Sequence, residues 1–296
     1  MPKRINRVIE LIESKEPIYY TSAGDLTYEN GLKQASTWAD FLIPEFEHGA
    51  FNVAGLISFM KGLVDNGPTK AGHRTPAIIA TLPANGRTAS EVRANAWQIR
   101  QLLSAGVHGI LLTHARQADA VRAFIEECRY PFQKSGREGL GEGQRGAGGQ
   151  VKPSEIWGID AQEYVNIADP WPLNPNGELF LGVKLENRES AANADAICRV
   201  PGLAFAEWGP SDMGMSFGFT NANGPPYIEE MNLVRERIKA ACDANDLKFL
   251  CSWNDPSMTE EQKVRKLMDL GTHIFAGGEE MARIGRKITQ RKMPVG

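Results

Sequence analysis

Short apolar runs rich in β-branched and aromatic residues alternate along the chain with longer segments of helical period. Eight such runs stand out: IYYTSA from Ile18, DFLIPEFE from Asp40, AIIATL from Ala77, GILLTH from Gly109, LFLGVKLE from Leu179, LAFAEWGP from Leu203, KFLCSW from Lys248 and THIFAGG from Thr272. Each is too short for a buried helix and is followed by loop-forming residues, so each predicts a strand. Segments such as SEVRANAWQIRQLLSAG and MNLVRERIKAACDAND repeat apolar positions at the spacing of one helix face. Strand–helix alternation of this kind predicts an α/β fold, and it fits a closed (β/α)8 TIM barrel better than an open doubly wound sheet.

The alternation fails once, between the fourth and fifth runs, where the chain is rich in Gly and Pro from SGREGLGEGQRGAGG through DPWPLNPNG. This predicts one barrel domain over residues 1–296 with a long insertion at about 131–177. A linker between half-barrels, a functional lid or an oligomer contact would each account for it. Trp157, Tyr164 and Trp171 interrupt the glycines and need burial, so partial order is expected.

Composition narrows the picture. The 296 residues suit one barrel, which takes roughly 250, plus the insertion. A net charge of −3 offers no basic field for nucleic acid. No run of about 18 apolar residues predicts a membrane span, and the N-terminal MPKRINRVIELIESKEP lacks the apolar stretch of a signal peptide. The four cysteines, Cys128, Cys198, Cys242 and Cys251, form no CxxC pair. Unpaired core thiols fit a reducing compartment, and a cytoplasmic protein is expected. The glycines of 135–149 contain no GxxxxGK[ST] and do not make a phosphate loop.

In such a barrel the chemistry sits at the C-terminal ends of the strands. Those ends read Glu45-Phe46-Glu47-His48-Gly49, Thr81-Leu82-Pro83, His114, Lys184-Leu185-Glu186-Asn187, Gly209-Pro210-Ser211-Asp212 and Trp253. So many polar groups would be costly if buried without partners, but they suit a polar mouth built around a metal ion. Glu186 and Asp212 could otherwise be surface ion pairs or helix caps.

The run Glu45-x-Glu47-His48-Gly49, the ending Lys184-Leu185-Glu186, Val200-Pro201-Gly202 followed by Gly209-Pro210-Ser211-Asp212, and Arg129-Tyr130-Pro131 before a glycine-rich loop together resemble the HpcH/HpaI aldolase/citrate lyase family. The resemblance spans nearly the whole chain and keeps the motif order. It implies a lyase of the class II aldolase type, in which Glu186 and Asp212 bind Mg²⁺, Mn²⁺ or Co²⁺. The expected reaction is aldol or retro-aldol cleavage of a 4-hydroxy-2-oxo acid to pyruvate, or a close 2-oxo acid, and an aldehyde. It also implies a hexamer. His48 matches the family's general base, and Glu45 stands where an acidic residue orients that base. Glu47 is expected near the metal but pointing away from His48 if the strand runs that far. Gly209, Pro210 and Ser211 match the substrate-binding turn.

The chain departs from the family pattern at two strand ends. Thr81 stands where an arginine normally stabilises the enolate, and Lys184 stands where a glutamine is usual. Residues 184 and 186 share a face, so Lys184 should point into the barrel and supply the lost charge. A Schiff-base role, or simple balancing of the carboxylates, are the alternatives. Arg87 is a second possible replacement, reaching in from a loop. His114 could be a metal ligand, a contact for the acceptor, or a side chain facing the helices. Different enolate chemistry on the same scaffold, or a non-catalytic metal-binding relative, remain the alternative functions.

Overall fold

The computed structural model describes residues 2–220 and 224–295. Its strands are β1 (Ile18–Ser22), β2 (Phe41–Ile43), β3 (Ala77–Asn85), β4 (Gly109–Thr113), β5 (Pro170–Trp171), β6 (Leu179–Lys184), β7 (Phe205–Trp208), β8 (Lys248–Cys251) and β9 (Ile274–Ala276). β5 is a two-residue strand inside the Gly/Pro-rich insertion, and the other eight are the eight runs read from the sequence. They pair in the order β4-β3-β2-β1-β9-β8-β7-β6-β5, and β4 also pairs in parallel with β6. That last pairing closes the eight strands into a (β/α)8 barrel.

Local chemistry sets the element borders. β2 stops at Ile43 because Pro44 has no N–H for the ladder, so Glu45–His48 belong to a loop rather than to the strand. The helix expected after β3 is two helices, Ala89–Ala94 and Ala96–Ala105, broken at Asn95. Thr88 caps the first, its Oγ1 accepting from the Glu91 N–H at 3.2 Å. Gly106, at φ +93°, ends the second. The helix expected before β8 runs over Glu229–Ala244.

Alternation along the strands sorts their residues into two cores. Ile18, Phe41, Ile79, Leu111, Phe180, Phe205, Leu250 and Ile274 form the inner one. Tyr19, Leu42, Ile78, Leu112, Leu181, Ala206 and Phe275 pack outward among the helices. Phe180 stacks on Phe205 at 4.8 Å, and Tyr20 on Phe41 at 4.9 Å. Val8, Ile9 and Leu11 of the helix Arg7–Glu13 join the inner core and plug the N-terminal end of the barrel. Carried toward the C-terminal end, the inward parity of Ile79, Phe180, Phe205 and Leu250 assigns Thr81, Lys184, Glu207 and Ser252 to the barrel's inner face. There the apolar stack gives way to polar groups.

The insertion is ordered, as its aromatic residues demanded. It forms the helices Val151–Trp157 and Ala161–Ile167 before β5. Trp157 is buried, donates from Nε1 to the Gly106 carbonyl at 3.0 Å and stacks on His108 at 5.6 Å. Tyr164 donates to the Leu103 carbonyl at 3.2 Å. Arg129 forms a fully buried ion pair with Asp169 at 2.7 Å. These contacts lie where the chain enters β4 and β6, so the segment braces the end of the barrel opposite Lys184. It is not a lid over the strand ends. All four cysteines are free and buried. Among the described residues no helix is long and apolar enough to cross a membrane.

Candidate active site

The C-terminal rim gathers side chains from four strands around Glu47. Lys184, at the end of β6, donates from Nζ to Glu47 Oε2 at 2.6 Å and lies 3.9 Å from Glu186 Oε2. His114, just past β4, places Nε2 3.1 Å from Glu47 Oε1. His48 Nε2 is 3.7 Å from Glu47 Oε2. Among the described residues, two sets of possible ligand atoms each fall within 4.8 Å: Glu47, His48 and Asp212, and Glu47, His114 and Glu186. Glu47 belongs to both.

The loop bearing Glu47 is held by Thr81. Its Oγ1 donates to Glu45 Oε1 at 2.8 Å and accepts from the Phe46 N–H at 2.7 Å. The Glu47 N–H donates to Glu45 Oε1 at 2.7 Å. Thr81 is therefore a strut between β3 and the loop, and Glu45 braces that loop through Thr81. The acidic neighbour of His48 in this structure is Glu47. Alternation does not separate the two, because the strand has already ended at Ile43.

Beside Lys184 lies Glu207, its register partner on β7. Glu207 is buried and accepts from Ser252 Oγ at 2.9 Å. Sequence reading passed over this residue. A glutamate at inward parity in the apolar run LAFAEW was the available signal, since a buried charge demands a partner. The run DFLIPEFE predicts a strand through Glu47, four residues past its end at Ile43, and that overshoot is why alternation set Glu47 apart from His48.

Crowded carboxylates in a buried mouth perturb one another. Burial, reinforced by Glu207, pushes the Glu186 carboxyl well above its usual range, against the pull of Lys184. Burial also raises Glu207, which Lys184 and Ser252 oppose. For Glu47 burial is outweighed by His114 and Lys184, which hold it down at about 2. Burial alone would lower Lys184, but Glu207, Glu186 and Glu47 outweigh it and keep the ammonium well above its usual range. A permanently charged lysine is a poor nucleophile.

Glu186 is 4% exposed, and its Oε2 has no hydrogen-bond partner. Oε1 lies in a cradle that only glycine leaves open, because a Cβ at Gly209 would come within 2.0 Å of it. Asp212 stands in the first turn of the helix Pro210–Ser216, which begins with Pro210 at its N-terminus, so Asp212 is not a cap. Ser211 occupies the same turn. An orphaned buried carboxylate oxygen facing further carboxylates and an imidazole is the donor set a divalent cation requires. Arg87 lies apart: it is 53% exposed and committed to Glu91, with contacts of 2.9–3.1 Å.

The family model for HpcH/HpaI aldolase/citrate lyase matches residues 69–284. The chain belongs to the HpcH/HpaI family. Within it, a hydroxypyruvate/pyruvate aldolase from Cupriavidus necator is 27% identical over 195 residues, which are 64% of this chain and 62% of that protein. The match thus spans less than two thirds of this relative's length. A family protein from Burkholderia cenocepacia shares the fold with a TM-score of 0.69 at 16% identity, covering 96% of each chain. A citrate lyase beta subunit from M. tuberculosis, solved with oxaloacetate and magnesium, does so with a TM-score of 0.54 at 15% identity, covering 92% of this chain and 95% of that one.

Proposed function

We propose that this HpcH/HpaI family member is a divalent-metal-dependent carbon–carbon lyase. It cleaves a 4-hydroxy-2-oxo acid to pyruvate, or a close 2-oxo acid, and an aldehyde. The observation that carries this reading is the buried Glu186 carboxylate, whose Oε2 has no hydrogen-bond partner, facing Glu47 and Lys184 at the barrel mouth. Glu186 and Asp212 would hold the ion, with Glu47 beside them. Mg²⁺, Mn²⁺ and Co²⁺ are the candidates, and the assembly is a homo-hexamer. When bound, such an ion supplies a Lewis acid for the negative charge that develops on the 2-oxo group.

The chain's own residues supply the rest. Lys184 adds a fixed positive charge beside Glu186 where the family pattern has a neutral side chain, and Thr81 has no charge to give. His48, 66% exposed beside Glu47, can reach the substrate hydroxyl and take its proton. Thr81 and Glu45 keep the loop that carries His48 in place. The turn Gly209-Pro210-Ser211 lets substrate approach close to the Glu186 carboxylate.

The test is pyruvate release from a panel of 4-hydroxy-2-oxo acids, assayed as purified, after chelation and after metal add-back. Turnover should stop on chelation and return with metal. Glu186→Gln and Asp212→Asn should stay inactive in all three conditions. Turnover that survives chelation would sink the proposal. Decarboxylation of a 2-oxo diacid, which passes through the same enolate, is the second reading of this mouth. Carbon dioxide release from oxaloacetate without aldol cleavage would select it.

A further inference from the structure

His114 stands out among the residues of the mouth because its backbone is left-handed, with φ +47°. Residues other than glycine are uncommon there, although histidine tolerates the region better than most, and Lys15, Asp246 and Gln290 adopt it away from the mouth. The position is pinned from both sides. The Thr113 carbonyl accepts from the Gly86 N–H at 2.8 Å, and the Ala115 N–H donates to the Lys184 carbonyl at 3.1 Å. Such a conformation persists only where its surroundings determine it, and it clusters at functional sites. Here its effect is directional. On β4 Leu111 faces the inner core and Leu112 the helices, so regular alternation would turn residue 114 toward the helices. The left-handed turn instead brings the imidazole to the mouth, where Nε2 meets Glu47.

We infer that His114 is a nitrogen ligand to the ion at this mouth, so that the site prefers a first-row transition-metal ion such as Co²⁺ over Mg²⁺. The inference rests on the metal-dependent reading of the site given above. Ligand atoms about 2.1 Å from a common ion and at right angles to each other lie about 3 Å apart. The 3.1 Å between His114 Nε2 and Glu47 Oε1 is such an edge. The third atom of the set, on Glu186, lies within 4.8 Å of both. Glu186 Oε2 is buried without a hydrogen-bond partner, and the neighbour of the buried Glu47 Oε1 is His114 Nε2 itself. His114 is the better placed of the two histidines, with its side chain 23% exposed against 66% for His48. His48 is left free to move protons. An imidazole among carboxylates binds cobalt, nickel or zinc more tightly than it binds magnesium, which favours oxygen donors and keeps its water.

The experiment uses the full chain, stripped of metal and titrated calorimetrically with Co²⁺ and with Mg²⁺. Pulsed electron paramagnetic resonance of the Mn²⁺-loaded protein reports directly bound nitrogen. His114→Gln should lose about tenfold or more in Co²⁺ affinity, with Mg²⁺ affinity changed far less. The nitrogen signal should disappear in that variant and survive in His48→Gln. His114→Asn, whose side chain accepts the left-handed backbone but is too short to reach, should behave as His114→Gln does. Equal losses for both ions, no loss for either, or a nitrogen signal that persists without His114 would each overturn the inference. Glu186→Gln separates this from the underlying reading. If it abolishes Co²⁺ binding while the His114 variants bind like wild type, only the role of His114 falls. If Glu186→Gln itself binds Co²⁺ like wild type, the metal reading fails with it.

Discussion

At Gly209 there is room for a hydrogen and nothing more, since a Cβ would sit 2.0 Å from Glu186 Oε1. The clash is with the end of a side chain rather than with backbone, so the carboxylate moves and the fold survives. Gly209→Ala should therefore change stability by about 1 kcal/mol or less while lowering divalent-metal affinity about tenfold or more. Thermal unfolding and metal titration of the same preparation check this, and a large stability loss with intact metal binding would contradict it. Lys184 carries an opposite expectation. Its ammonium sits 2.6 Å from Glu47 Oε2 and 3.9 Å from Glu186 Oε2, repelling a nearby cation while offering charge to the substrate. Lys184→Gln should bind the divalent ion more tightly yet turn over about 10²-fold more slowly. Borohydride with pyruvate should leave no adduct on Lys184, because the surrounding carboxylates keep it protonated. A parallel fall in affinity and rate would show that Lys184 serves the ion rather than the substrate.

Among the elements, strands were more legible than the loops that leave them. The eight runs are the eight strands of the closed barrel because β-rich apolar segments bounded by breakers leave little choice of conformation. Their ends were less legible. Pro44 halts β2 before Glu45, and the loop that follows, braced by Thr81 and Glu45, places Glu47 beside His48. The insertion shows the value of a few large aromatic residues. Composition made it a loop, whereas Trp157 and Tyr164 predicted order, and burial decided in their favour. Trp157 fills the space between Gly106, His108 and Tyr164, with the Tyr164 ring edge-on at 4.8 Å. Trp157→Ala should destabilise the protein by about 3–5 kcal/mol, and Trp157→Phe, which loses chiefly the indole hydrogen bond, by about 1 kcal/mol. Denaturant titration measures both. Equal losses would mean that the hydrogen bond, not the packing, matters.

At the scale of the whole molecule, the two ends of the barrel are built differently. The mouth concentrates charge, while the opposite end is sealed by the helix Arg7–Glu13 and fastened through Glu178, which accepts from the Asn6 N–H at 2.8 Å. Burial raises the Glu178 carboxyl from 4.5 to about 7, against the pull of Asn6 and Arg4. A raised folded-state value means that the stability is present below 4.5 and is lost as the pH rises through about 7. The full effect is at most about 3 kcal/mol. Glu178→Gln should therefore gain on wild type as the pH goes from about 5 to about 8, read as the difference in unfolding midpoint at each pH. A difference that is flat with pH would refute it.

The periodicities of the sequence, with its prolines and glycines, already determined the strands, the helices and an α/β fold that suits a barrel, because they are set by residues a few positions apart. Barrel topology then placed the polar strand ends on one rim, which is why Glu186, Asp212, His48 and Lys184 were legible as candidates. Which of those groups touch was decided by the tertiary structure, through closure of the sheet between β4 and β6, the loop after β2 braced by Thr81, and the left-handed turn at His114. The ion pair of Lys184 with Glu47 joins residues 137 apart in the chain, and no local pattern encodes a contact of that span.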